Sequence, residues 1–256
     1  MVSNSLTAKK GIDSFDLKLI AIFGMTCDHT AEAFAGCLPF WANCLLQAFG
    51  GLTFPIMAYL LCEGYHYTHN VRRYAGRLLL FALISELPFV WFSNSSTSGY
   101  FLLQANVLYT LFISLLLLIF LDKARNIFVR VLIVLGAGIL VTLPIADWGI
   151  MGILMVLLYR YVKNPKLKII LGAMVPLLTS GIPGLLGVLG LLEDAAAVYL
   201  PKALYFLVGT TLTIPLLLHY DGKRGRPMKY LFYAYYPLQF IVLALLRGIL
   251  VGDWGF

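Results

Sequence analysis

Residues 17–34 read LKLIAIFGMTCDHTAEAF, an apolar run that carries Asp28, His29 and Glu32 in its second half. Its length suits one crossing of a lipid bilayer, which takes about 20 mostly apolar residues. No small-residue cleavage site follows a basic segment, so we interpret the run as a retained membrane helix and not as a signal peptide. Ionisable groups at membrane depth are costly unless they are partnered, which makes Asp28 and His29 candidates for function.

The composition of the whole chain gives the same picture. Of its 256 residues, 61% are hydrophobic and 12% are charged, and the mean hydropathy is +0.87. Water-soluble domains do not have this composition. We therefore expect an all-α, polytopic membrane helix bundle that forms a single domain over residues 1–256, with about nine apolar runs as transmembrane spans. These runs cover residues 16–36, 45–62, 75–92, 105–121, 127–144, 149–160, 167–191, 198–219 and 229–251.

Two of the nine runs depart from the pattern of a simple span. The sixth is short for a bilayer crossing. The seventh is interrupted by Pro176, Gly181 and Pro183. We expect one or both to be broken or re-entrant and covered by neighbouring protein, because lipid-exposed irregular backbone is not stable in hydrocarbon.

The distribution of basic residues predicts the orientation of the bundle. Short cytoplasmic loops of membrane proteins carry an excess of Lys and Arg. With nine spans and the N-terminus inside, 17 of the 19 basic residues fall on the cytoplasmic side, and the others are Lys202 and Arg247. The pattern predicts an inside N-terminus and an outside C-terminus. The net charge of +7 then reflects topology and contact with anionic lipids, and we expect no nucleic-acid partner.

The four cysteines do not form an obvious disulfide framework. Cys27 and Cys62 lie within apolar runs and should pack as small hydrophobic residues. Cys37 and Cys44 flank the first predicted outer loop. They could close a short disulfide loop in an oxidising exterior or remain two free thiols, and the sequence leaves both alternatives open.

Depth along the predicted helices brings several polar residues to one level. At about 1.5 Å per residue, Asp28 lies some 16 Å along its helix from residue 17, and Glu86 about 14 Å from Arg77. Both helices run from the inner to the outer face. The last span enters from the same side and adds tyrosines and an amide at a similar level. The predicted polar layer comprises Asp28, His29, Glu86, Tyr235, Tyr236 and Gln239.

His29 is the candidate for acid-base chemistry in this layer. A neutral imidazole can take a proton from a nucleophile, and a nearby carboxylate can orient it, as acyl transfer requires. Asp28 points about 100° away from His29 on a helix, so Glu86 is equally eligible as the partner. The alternative is that all three residues are hydrogen-bonding contacts between helices. A further alternative is a transporter or channel that uses these groups as a proton or substrate path.

Two other polar segments are considered as binding sites. Glu63 and His66 have the Glu-x-x-His spacing of bundle metal sites, and His69 follows. Such sites need a second pair on a facing helix, and none is present, so we expect no metal. The segment 220–225 is most simply a basic turn between spans, although its amides and cations could hold a phosphate.

An ordered set of motifs resembles the TraX family. The set begins with residues 15–22, FDLKLIAI, and 25–29, MTCDH, and continues with FPIMAYLLCEG at 54–64 and RRYAGRLLLFALISELPF at 72–89. Asn106-Val, Thr110-Leu, Asp147-Trp-Gly149, the 220–225 turn and FYAYYPL at 232–238 complete it. The motifs fall in family order across nearly the whole chain. Two positions depart from the family pattern: Gly51, where it tends to have Arg, and Gln239, where it tends to have His.

The resemblance implies a function as well as a fold. TraX acetylates conjugative pilin subunits, so the resemblance implies an enzyme of the bacterial cytoplasmic (inner) membrane that uses acetyl-CoA, or another acyl-CoA, as donor. The acceptor would be a protein N-terminus, a glycan or a lipid at the outer face. His29 would be the general base, supported by Asp28 or Glu86. Residues expected to contact substrate are Asn106, Tyr235, Tyr236 and Gln239.

Cations at the inner ends of the first and third spans are candidates to bind the phosphates of coenzyme A. They are Lys18, Arg72, Arg73 and Arg77. The positive-inside bias explains Arg72 and Arg73 without a ligand. Lys18 and Arg77 begin apolar runs and lie within family motifs, so they are the better candidates.

Overall fold

A computed structural model describes residues 11–93, 104–191, 196–227 and 229–255. Within these ranges the chain is helical, and the only strand-like pairings are two isolated bridges. The all-α class is confirmed, and nine helical rods lie on the nine predicted runs. They are α1 Ser14–Ala33, α2 Phe40–Tyr67, α3 Val71–Ser93, α4 Val107–Lys123, α5 Ile127–Thr142, α6 Gly149–Tyr161, α7 Pro165–Leu189, α8 Leu200–Leu218 and α9 Lys229–Val251.

Five of these rods are long and apolar enough to cross a membrane, namely α2, α3, α7, α8 and α9. The chain is therefore a multispanning membrane protein. Rods α5 and α6 are apolar but shorter, with 16 and 13 residues. A helix of 13 residues rises only about 20 Å, whereas the hydrocarbon core is about 30 Å thick. The predicted count of nine crossings is thus supported for five rods.

Several helices begin at a residue whose side chain caps them. The cap accepts hydrogen bonds from the first backbone N–H groups, which have no partner within the helix. Asp13 caps α1 by accepting from Phe15 N at 2.8 Å and Asp16 N at 3.0 Å. The Asp16 carboxylate accepts in return from Asp13 N at 3.3 Å, which completes a capping box. Asparagines cap α4, α5 and α7 through the same kind of contact, and they are Asn106, Asn126 and Asn164.

Glycine and proline accompany departures from regular α-helical geometry in two of the rods. Rod α2 consists of helices Phe40–Gly50 and Thr53–Tyr67, joined by a short turn at Gly51. The seventh run, one of the two of which one or both were expected to be broken or re-entrant, stays helical through two π-helical turns, Leu177–Gly181 and Gly187–Leu191. Proline lacks an N–H and leaves a carbonyl group of the preceding turn without its usual donor. A π-helical turn shifts the hydrogen-bond pattern by one residue, so that the helix can continue past the proline.

The packing order of the rods places α4 inside the bundle. Rod α1 packs on α2 and α9, and α3 packs on α9 and α4. Rod α4 is apolar on every side and is largely buried, as expected for a central helix. Rod α5 buries few residues and presents its apolar side chains outward, which is typical of a lipid-facing edge.

All four cysteines are free in this structure, with Cys37 exposed and Cys44 buried. Cys37 follows the C-terminal end of α1. Lys223 lies at the opposite end of that helix, because its carbonyl accepts from Ser14 N at 2.9 Å. Residues 37 and 223 therefore lie at opposite ends of the bundle, and labelling of each one shows which side of the membrane that end faces.

We expect an impermeant thiol reagent to label Cys37 in intact cells, because the charge pattern predicts that the Cys37 side is external. Lys223→Cys, placed in a Cys37→Ser background, should be labelled only after the membrane is opened; the Lys223 side chain is 79% exposed, so access is not limiting. Mass spectrometry of the labelled protein is the measurement. Labelling of Lys223→Cys in intact cells would reverse the predicted orientation.

Candidate functional site

A cavity of about 610 Å³ lies at the Ser14 end of α1, and we call it the Lys18 cavity. Glu63 is the acidic residue that lines this cavity, and its Oε1 lies 4.0 Å from Lys168 Nζ. Its cations outnumber this already paired carboxylate, so the cavity has an excess of positive charge. The cationic lining residues are Lys18, Arg77, Arg224 and Arg226.

The structure separates the four predicted donor-binding cations into two pairs. Lys18 and Arg77, which lie on different helices, meet in the Lys18 cavity. The Arg77 guanidinium lies 5.9 Å from the ring centre of Tyr74, and its buried Nε finds no hydrogen-bond partner among the described residues. Arg72 and Arg73 are exposed and do not line the cavity. The cavity thus offers Lys18 and Arg77 to an anion.

A row of polar and aromatic contacts leads from this cavity into the bundle, between α9 and its neighbours. Tyr233 lines the cavity and stacks on Phe81 with ring centres 4.7 Å apart. Two residues further along α9, the hydroxyl group of Tyr235 is hydrogen-bonded to that of Thr26 at 2.6 Å. Tyr236 is 2% exposed and packs into the core. Of the two predicted substrate tyrosines, Tyr235 thus faces α1.

His29 lies one turn beyond Thr26 on α1. Its Nδ1 is hydrogen-bonded to the side-chain amide of Gln239, a residue of α9 that is only 5% exposed. Phe240 and Phe92 flank the imidazole, with ring centres 4.5 and 5.7 Å from it. The Oε1 atom of Gln239 is buried and has no hydrogen-bond partner in the described part of the chain. The glutamine thereby fixes the Nδ1 edge of the imidazole, and the two phenylalanine rings pack around it.

Glu86, the second predicted carboxylate, is engaged with Asn106. The Asn106 Nδ2 donates to Glu86 Oε2 at 2.5 Å and to the carbonyl of Ala82 at 2.8 Å. Its Oδ1 accepts from Leu108 N at 3.0 Å as the cap of α4. Asn106 is fully buried. The Nδ2 end of this amide therefore joins α3 to the start of α4 through Ala82 and Glu86, while its Oδ1 end caps α4.

A second cavity, of about 600 Å³, lies at the other end of α1, and we call it the Asp28 cavity. The Cβ of Asp28 packs against Gly50, where an added Cβ would approach it to 2.7 Å. Asp28 and His29 therefore face different parts of the bundle, as their 100° separation on a helix requires. The charged residues that line this cavity are Asp28, Glu32, Asp147 and Lys202.

Asp147 is held in the Asp28 cavity by a constrained loop between α5 and α6. Ile145 and Trp148 adopt positive φ angles of 45° and 63°, which is uncommon for non-glycine residues. Trp148 stacks on Phe54 at 4.4 Å, and the Asp147 carbonyl accepts from Thr110 Oγ1 at 2.5 Å. Burial raises the pKa of the Asp147 carboxyl to about 6, with Lys202 acting in the opposite direction. Such retained backbone strain is common at functional sites.

The segment considered for metal binding has other contacts. Glu63 lies near Lys168, and the His66 ring packs on Tyr67 with centres 4.8 Å apart. His69 lines the Lys18 cavity. Among the described residues, no group of three or more His, Cys, Asp or Glu is placed to hold a metal ion.

Several residues of this arrangement were not predicted as site residues. Glu32 lies four positions after Asp28, so helical spacing could have placed both in one cavity. Arg224 and Arg226 belong to the turn that was considered for phosphate, but nothing in their sequence spacing connects them to Lys18. The contact between His29 and Gln239 joins residues 210 positions apart, and the sequence indicated only their similar depth.

Comparison with known proteins gives one family and one relative. The model of the family described as TraX protein matches residues 14–247. A protein of Dichelobacter nodosus, described as probable fimbrial assembly protein FimC, serogroup H1, is 31% identical over 242 residues. The match covers 90% of this chain and 93% of that relative. No solved structure matches the chain.

Proposed function

The chain belongs to the TraX family, and from this premise we propose that it is a membrane acyltransferase that moves an acetyl group from cytosolic acetyl-CoA to an envelope or secreted acceptor. The order of sites along α1 is the observation that carries the proposal. The cationic Lys18 cavity lies at the start of α1, and Asp28 and His29 lie side by side in its second half, Asp28 on the second cavity and His29 against Gln239 of α9. A phosphate-bearing donor suits the first cavity, and an acceptor in the second cavity would reach the level of His29.

The distance between the two ends of the donor site suits a long thioester arm. Lys18 and His29 are eleven residues apart on one helix, which corresponds to a rise of about 16 Å. Phosphates held by Lys18 and Arg77 would therefore lie well below the imidazole. The hydrogen bond between Tyr235 and Thr26 lies at an intermediate level. The pantetheine arm of coenzyme A would pass beside this contact and present its thioester near His29.

His29 would act as the general base through its Nε2 atom. In the structure Nε2 of Gln239 lies at Nδ1 of His29, and Oε1 has no partner among the described residues. A 180° rotation of the Gln239 amide would place Oε1 where it accepts from the Nδ1–H of His29. In that tautomer Nε2 of His29 carries the lone pair and can take a proton. The acceptor nucleophile would attack the thioester carbonyl as it loses its proton to Nε2. The C–S bond then breaks, and the proton passes to the leaving thiolate to give free coenzyme A.

The acceptor would enter the Asp28 cavity. A protein N-terminus, a glycan or a lipid can each supply a nucleophilic amine or hydroxyl group. The relative from Dichelobacter nodosus is described as a probable fimbrial assembly protein, which makes a fimbrial subunit a candidate acceptor. The cavity lining contains Asn43, Gln47 and Ser180, which can hydrogen-bond such groups.

Release of free coenzyme A tests the proposal. The full chain in nanodiscs should release the thiol from acetyl-CoA when an envelope extract of its own organism is added, and mass spectrometry should find acetylated product. A transporter or channel, the alternative suggested by intramembrane Asp, His and Glu, would release no thiol above the background of empty nanodiscs. Release without dependence on the extract would indicate hydrolysis and would contradict acyl transfer.

Arg77→Ala should weaken acetyl-CoA binding by about 1.5–3 kcal/mol, the range for hydrogen bonds to charged groups. The reason is that the Arg77 guanidinium lines the Lys18 cavity with a buried, unpartnered Nε. Isothermal titration in nanodiscs is the measurement. Arg125→Ala is the matched control, because Arg125 is an exposed arginine outside the cavity. Equal affinities of wild type and Arg77→Ala would remove Arg77 from the donor site.

A further inference from the structure

We propose that Arg224 and Arg226 join Lys18 and Arg77 in a phosphate clamp, which selects the nucleotide-bearing thioester of coenzyme A over a bare pantetheine thioester. The inference rests on the proposed function, because it names the part of the donor that the Lys18 cavity recognises. It assigns a role in donor specificity to the loop between α8 and α9, which stands outside the membrane helices.

The charge of the Lys18 cavity is the first argument for the clamp. Four cationic side chains from three chain segments line one cavity, against the single carboxylate of Glu63. The charge of Arg224 repels that of Lys18, while the Asp13 carboxylate attracts it. Like charges that converge in a partly desolvated space are costly without a counter-ion. An anion with several negative groups would remove that cost.

The loop is fastened to the start of α1, which gives its cations a defined position relative to Lys18. Ile12 N donates to the carbonyl of His219 at 3.0 Å, and Asp221 N donates to the carbonyl of Ile12 at 3.0 Å. Ser14 N donates to the carbonyl of Lys223 at 2.9 Å. Lys18 follows one turn later on α1. The basic loop is therefore positioned by backbone hydrogen bonds on both sides of Asp221.

Gly225 shows how closely the loop approaches α1. Its φ angle is +62°, a region that side-chain-bearing residues rarely adopt. A Cβ at this position would lie 2.5 Å from Cγ of Asp13, the capping residue of α1. The flanking residues, Arg224 and Arg226, both line the Lys18 cavity. The tight turn thus presents two guanidinium groups to one space.

The chemistry of the guanidinium group identifies the ligand class. Its planar set of donors matches phosphate oxygens in a bidentate manner, and it remains charged at all physiological pH values. Coenzyme A carries its phosphates on the nucleotide end, whereas pantetheine carries none. A site that binds through arginines at its entrance should therefore distinguish these two thioesters.

The double variant Arg224→Ala/Arg226→Ala tests the clamp, with Lys223→Ala as the matched control. Lys223 is a cation of the same loop that does not line the cavity, and its side chain is 79% exposed. Affinities for coenzyme A and for pantetheine would be measured by competition in nanodiscs of zwitterionic lipid. We expect the double variant to bind coenzyme A at least about tenfold more weakly, the effect of one lost charged hydrogen bond. Pantetheine binding, and coenzyme A binding by Lys223→Ala, should stay at the wild-type level.

Each outcome of this experiment decides the inference. Equal coenzyme A affinity in the double variant and wild type would overturn it, and would assign these arginines to lipid headgroups or solvent. An equal loss of pantetheine affinity would also overturn it, because it would indicate distortion of the cavity. The proposed function is tested separately: a clamp that binds coenzyme A in a protein that transfers no acyl group would leave the inference standing and remove acyl transfer.

Discussion

His29→Ala should lower the rate of acyl transfer by about 10²–10⁴-fold, the usual contribution of a general base. The imidazole is held by Gln239 and flanked by Phe92 and Phe240. Donor binding should be little changed, because the cations of the Lys18 cavity lie about 16 Å away along α1. Coenzyme A release under saturating donor and acceptor is the measurement.

His29→Gln separates a catalytic base from a structural contact. A glutamine can still hydrogen-bond to Gln239 across the helices, but its amide does not accept a proton near neutral pH. We expect this variant to keep the thermal stability of the wild type and to remain as inactive as His29→Ala. Near-normal release of coenzyme A by His29→Gln would show that the imidazole is structural. Glu86 would then be the next residue to test as the base.

The sequence predicts the level of these residues along their helices but not their contacts. The depth of His29 and of Gln239 follows from helical rise, and their similar level was predicted. Depth does not determine the rotation of each helix about its axis. That rotation determines which side chains are in contact. Thus Gln239 contacts His29, whereas Asp28 lines a separate cavity and Glu86 binds Asn106. Such contacts depend on the packing of helices that are far apart in sequence.

The helices themselves were largely predictable, because their apolar runs are long. The nine runs correspond to nine rods within the described residues. The path of α7 was not predictable in detail. Proline and glycine in an apolar run are compatible both with a broken helix and with a continuous one, and the π-helical turn Leu177–Gly181 resolves this in favour of continuity.

Gly51 illustrates a residue whose meaning depends on the fold. In the sequence it is a departure from the family pattern, which tends to have arginine at this position. In the structure it lies where α2 crosses α8, backbone against backbone. Tyr205 and Gly209 of α8 are its partners there, and Tyr205 also lines the Asp28 cavity. The glycine thus permits a close crossing that positions one wall of this cavity.

Gly51→Ala should destabilise the protein by about 3 kcal/mol, at the upper end of the range for overpacked sites. The added Cβ would overlap the carbonyl oxygen of Tyr205 and lie 2.9 Å from its carbonyl carbon and 3.0 Å from Cα of Gly209. These are backbone atoms, so no side-chain rotation relieves the contact. Thermal unfolding in detergent should show a midpoint about 6–12 °C below that of the wild type.

Gly136→Ala on α5 is the matched control for this prediction. It makes the same chemical change inside a helix, but an added Cβ at Gly136 meets nothing within 4 Å. Alanine has the higher helix propensity, by about 1 kcal/mol. The control should therefore unfold at or slightly above the wild-type temperature. If Gly51→Ala instead unfolds at the temperature of Gly136→Ala, the two backbones are not in contact at Gly51, and the packing of α8 against α2 is wrong.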